Sequence, residues 1–144
     1  MSRWFPEVDD YEGVQKALKA GFVGALVFAG MNLLGIAFVL ATRHQPGRGV
    51  QPAADGAFIA GMVAELLIVL VAAWRFKVGK GLVWGSVVLL LFAAEIVMKF
   101  AQGMAGAAWI LFYAAIGAAL VNGIRGAWAA RTIGPEADYA DVFE

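Results

Sequence analysis

The sequence predicts an all-α integral membrane protein: a four-helix up-down-up-down bundle with a short amino-terminal interfacial helix. Three observations predict it. Four apolar runs each reach the length of a bilayer crossing, and two of the three connections between them are tight turns. Of the 144 residues, 62% are hydrophobic, against ~45–50% in a typical soluble domain. A helix rises ~1.5 Å per residue, so about 20 residues cross a ~30 Å hydrocarbon core.

Residues 1–20 form an interfacial amphipathic lead-in. Trp4 and Phe5 suit the headgroup level, where aromatic rings are enriched. Asp9 followed by Glu12 has capping-box-like spacing. Tyr11, Val14, Leu18 and Phe22 fall on one helical face, so this helix is expected to run into the first span. The four-helix transmembrane domain occupies residues 21–131, with spans at about 21–41, 56–74, 82–100 and 105–124. Residues 42–55 contain two prolines and two glycines and form the longest loop. Residues 75–81 (RFKVGKG) make a tight basic turn, and 102–105 (QGMA) a shorter one. Short turns make consecutive helices antiparallel neighbours. Residues 132–144 are an acidic polar tail with little to bury. Its Tyr139 and Phe143 offer a minor docking possibility beside simple solvation.

Lysine and arginine set the orientation. Arg3, Lys16, Lys19, Arg75, Lys77, Lys80, Arg125 and Arg131 share one side, and only Arg43, Arg48 and Lys99 fall on the other. Both termini are therefore expected in the cytoplasm, in a multi-pass protein of a membrane taken to be a bacterial inner membrane.

Hydrocarbon should reject Asn32, Glu65, Glu95 and Lys99. Counting from the outer helix ends puts Asn32, Glu65, Glu95 and Tyr113 ~8–14 Å below the outer surface, with Lys99 near the rim. One residue from each helix thus contributes to a single polar level. The stripes agree. Gly21, Ala25, Phe28, Asn32 and Gly35 align in the first helix, and Gly61, Glu65, Ile68 and Ala72 in the second. Trp84, Val88, Leu91, Glu95 and Lys99 align in the third, and Trp109, Tyr113 and Gly117 in the fourth. A charge at the centre of a membrane helix costs ~2.5–3.5 kcal/mol, more than the ~0.6–2 kcal/mol that one interhelical hydrogen bond returns. Glu65 and Glu95 must therefore face inward or toward a partner. Glu95 and Lys99 have the favourable i,i+4 spacing, and Lys99 can also snorkel outward. Glu65 is expected to be protonated, or hydrogen-bonded to Asn32 or Tyr113, because desolvation penalises its charged form. These five residues are the candidates for an intramembrane polar or ion site.

Composition excludes several chemistries. No cysteine is present, so disulfide exchange is out. The only histidine, His44, sits in the long loop with Arg43 and Arg48, so the chain cannot supply a pair of histidine haem ligands. Net charge is zero, with no basic footprint for nucleic acid. The first apolar run is too long for a signal-peptide core, so no cleavable leader is expected. No nucleophile–base pair, metal-ligand cluster or phosphate loop appears; an enzyme, a cofactor and a bound metal are not expected.

Two functions remain. The first is a non-enzymatic accessory or scaffold subunit, embedded in the lipid bilayer and assembling with itself or with other membrane subunits through the polar layer. The alternative is a small proton- or ion-coupled transporter or channel with Glu65 and Glu95 as titrating residues. A single four-helix chain is expected to enclose little space, so the alternative would need a homo-oligomer. The subunit reading needs the fewest assumptions and is the one chosen.

Overall fold

The computed structural model describes residues 5–42, 52–101, 103 and 107–133. The expectations for Arg3, Trp4, Arg43, His44 and Arg48, and for Tyr139 and Phe143 in the tail, lie outside the described residues. Four helices account for nearly all of it: α1 (Tyr11–Thr42), α2 (Pro52–Lys77), α3 (Leu82–Ala101) and α4 (Ala107–Ile133). Each contains a stretch long and apolar enough to cross a membrane. No strand occurs among the described residues.

Capping fixes two of the helix ends. The amide of Gly13 donates to Asp10 Oδ1 at 2.7 Å, so Asp10 is the N-cap of α1. The cap therefore falls one residue later than the Asp9–Glu12 spacing suggests, because the helix starts at Tyr11. The end of α2 is a Schellman motif. The Gly79 amide donates to the Phe76 carbonyl at 3.0 Å, and that of Lys80 to the Arg75 carbonyl at 2.9 Å. Gly79 takes φ 69°, the left-handed conformation that glycine adopts without a Cβ penalty. This cap reverses the chain into α3 within a few residues.

The helices pack in a ring: α1 contacts α2 and α4, and α3 contacts the same two. Along the α1–α4 seam, Ala17 and Leu18 meet Gly126, Gly21 meets Gly123, and Gly24 meets Ala119. As numbering rises on one helix it falls on the other. At Gly21 and Gly123 the two backbones touch, and a methyl group on either would collide with the other's Cα. The lead-in joins this core. Val14, Ala17 and Leu18 are fully buried, while Lys16 pairs with Glu12 on the exposed side.

Packing is uneven along the bundle. At the end that holds the α2–α3 turn, the buried Phe76 ring sits among Gly21, Gly81, Gly85 and Gly123. A Cβ on Gly81, Gly85 or Gly123 would strike that ring. Val69, Ala72, Val88, Leu120 and Ala127 complete this closed end. Toward the other end burial falls away. Residues 56–64 of α2 and 93–101 of α3 are exposed or half-buried throughout. The large exposed side chains, such as Leu34, Leu67, Leu90 and Leu111, are what a helix bundle offers to hydrocarbon.

Candidate functional site

The site begins at the level where the tight packing stops. Phe28 of α1 meets Phe92 of α3 edge-on at 5.1 Å between ring centres, and Phe92 meets Tyr113 of α4 at 5.8 Å. All three are buried, and they form an aromatic floor across three helices. Beyond this level α1, α2 and α3 part around an open-sided chamber of about 630 Å³. Ligand pockets run from ~300 to ~1,000 Å³.

Four of the five predicted polar residues line this chamber: Asn32 from α1, Glu65 from α2, and Glu95 and Lys99 from α3. The fifth, Tyr113, stands behind it. Lys99 Nζ donates to Glu95 Oε1 and, at 2.8 Å, to the Tyr113 hydroxyl on α4. The same amine lies 5.2 Å from the Tyr113 ring centre, within range of a cation–π attraction. Lys99 is thus drawn into the bundle and tied to two partners rather than snorkelling to the rim. Trp109 stacks on Tyr113 at 5.8 Å and braces it from its own helix.

Of the two outcomes expected for Glu65, protonation or a hydrogen bond to Asn32 or Tyr113, the second does not occur. Its carboxyl makes no hydrogen bond with Asn32 or Tyr113; Lys99 has taken the tyrosine hydroxyl. Glu65 is half-buried and lies within electrostatic reach of both Glu95 and Lys99. The layer therefore holds two carboxyl groups and one amine. Asn32 is only 6% exposed, yet its Nδ2 has no acceptor. Glu95 Oε2 is likewise buried with no donor. An unpaired buried polar group costs ~1–3 kcal/mol. The chamber thus carries one orphan donor, one orphan acceptor and a carboxyl without an adjacent cation.

Some of the wall was not foreseen. Met31, Met62 and Met98 with Phe38 and Phe58 supply the apolar lining. Only the spacing of Met31 and Met62 beside Asn32 and Glu65 hinted at it. Among the described residues no group of three or more acidic or histidine side chains is placed to hold a metal. No family model, no curated protein and no solved structure matches this chain.

Proposed function

We propose that this chain is a small membrane carrier or channel that takes a proton or a small cation into its intramembrane chamber, with Glu65 and Glu95 as the exchanging groups. Its finer architecture belongs to the same proposal: an up-down-up-down bundle with both termini in the cytoplasm and the chamber in the outer half of the bilayer. The supporting observation is the convergence of Asn32, Glu65, Glu95 and Lys99 on one cavity of about 630 Å³ inside a single chain. Ionisable side chains inside a membrane mark ion and substrate paths by default. The accessory-subunit reading needs fewer assumptions, but it leaves the unpaired polar atoms of the chamber without a use. The four residues meet within one chain, which supports a site that a second copy could cover but need not complete.

The test is reconstitution of the full chain into sealed vesicles with a pH-sensitive dye inside. Under an imposed cation or proton gradient, wild type is expected to pass charge and Glu65→Gln to pass none. Native mass should show the same particle for both. A wild type without flux, together with a Glu65→Gln variant whose association changes, would restore the subunit reading.

A further inference from the structure

We infer that the chamber takes a monovalent organic ammonium ion with an apolar body and a hydrogen-bond acceptor near its charged end. This rests on the carrier reading of the same site and names its substrate class. Four features of the chamber favour that class, among the cations the carrier reading admits, as the solute exchanged against a proton.

The first is charge. Glu65 and Glu95 face one amine, Lys99, and that amine is already bonded to Glu95 and Tyr113. Glu65, expected to be protonated in the empty chamber, can give up its proton to balance an arriving cation, whereas an anion or a neutral solute offers it no such partner. The second is the buried Glu95 Oε2, which has no donor. A protonated amine supplies an N–H where a neutral hydrocarbon supplies nothing. The third is Asn32. Its side chain is more than nine-tenths buried, lines the chamber, and offers Nδ2 to no acceptor. A bare metal cation satisfies carboxylates but not this donor; an ester, ether or carbonyl oxygen on the solute does. The fourth is the wall. Met31, Met62 and Met98 are flexible and polarizable, and Phe38 and Phe58 present aromatic surface. Methionine adapts to irregular apolar shapes, and aromatic faces attract organic cations. An inorganic ion would leave that surface uncovered.

The probe is procaine, a protonated tertiary amine joined through an ester to an aromatic ring. Its control is ethyl 4-aminobenzoate, which keeps the ring and ester but lacks the ammonium. Binding is measured by equilibrium dialysis at pH 7 against the full chain in lipid nanodiscs, with empty nanodiscs subtracted. Wild type is expected to hold procaine about tenfold more tightly than the control. Glu65→Gln, which keeps the shape, should remove most of that preference. Asn32→Leu should weaken both compounds about fivefold and leave the ratio between them unchanged. Equal binding of the two compounds by wild type, or an unchanged preference in Glu65→Gln, overturns the inference. Should Glu65→Gln fail to fold, an aryl-azide analogue of procaine settles the matter on wild type. Labelling of the α1, α2 and α3 segments that line the chamber supports the site; labelling confined to lipid-facing positions overturns it. The two proposals fail separately: proton flux without procaine binding removes the ammonium class and keeps the carrier, whereas binding without flux does the reverse.

Discussion

Gly21 and Gly30 lie on the same helix, nine residues apart, and should respond to the same methyl group with opposite signs. Alanine in place of an interior helical glycine gains ~1 kcal/mol of helix propensity at either position. At Gly30 nothing lies within 4 Å of the new Cβ, so the gain stands alone. At Gly21 the Cβ would sit on Gly123 Cα, a backbone atom that cannot rotate away. The α1–α4 pair must separate, and forcing extra volume into a packed seam costs ~1–3 kcal/mol. The difference between the two variants isolates that packing cost, since propensity cancels. Gly30→Ala is therefore expected to be more stable than wild type, and Gly21→Ala less stable than Gly30→Ala by ~1–3 kcal/mol. Reversible unfolding of both in mixed micelles, followed by far-UV circular dichroism, gives the comparison. Equal stabilisation of the two would refute the close backbone contact on which the closed end depends.

Three further outcomes follow from the same contacts. Tyr113→Phe removes the hydroxyl that accepts from Lys99 at 2.8 Å and should cost ~0.6–2 kcal/mol in the same unfolding assay, with the particle mass unchanged. Lys99→Met and Glu95→Gln should each destabilise, yet the double variant should lose less than their sum; a coupling of ~0.5–3 kcal/mol is expected, and strict additivity would deny the ion pair. Phe76→Ala empties about 100 Å³ at the closed end, which at ~24 cal/mol per Å³ is a cavity cost of about 2.4 kcal/mol. It should raise hydrogen exchange in the flanking turns of α1, α3 and α4, whereas Phe58→Ala at the open end should change it little.

Much of this architecture is legible in the residues because membrane helices obey few rules. Length and hydropathy locate the four helices, and the cost of unpaired charge forces Glu65 and Glu95 inward. Counting 1.5 Å per residue brings Asn32, Glu65 and Glu95 to one height without any tertiary information. Pairing is harder to read. Both Glu65 and Lys99 could have claimed the Tyr113 hydroxyl, and only helix rotation decided for Lys99. The chamber is harder still. A cavity arises where helices diverge, and divergence depends on how closely they approach elsewhere. Gly21, Gly81, Gly85 and Gly123 look like ordinary small residues in the sequence. That all four converge on Phe76 depends on the crossing of all four helices and on the Gly79 reversal. The α1 cap shows the same limit on a smaller scale: Asp9 and Asp10 are adjacent, and a one-residue choice of helix start selects between them.

A bundle fastened at one end and parted at the other has the mechanics of tongs. Phe58 lies 11 residues from Val69, where the buried part of α2 begins, so the arm of α2 reaches about 16 Å from its fastening. A tilt of only ~5° beyond Val69 would displace the far tip by ~1.4 Å, somewhat less than the radius of a methyl group, while leaving the glycine seam undisturbed. The jaw could therefore change its opening without surrendering the contacts that hold the four rods together.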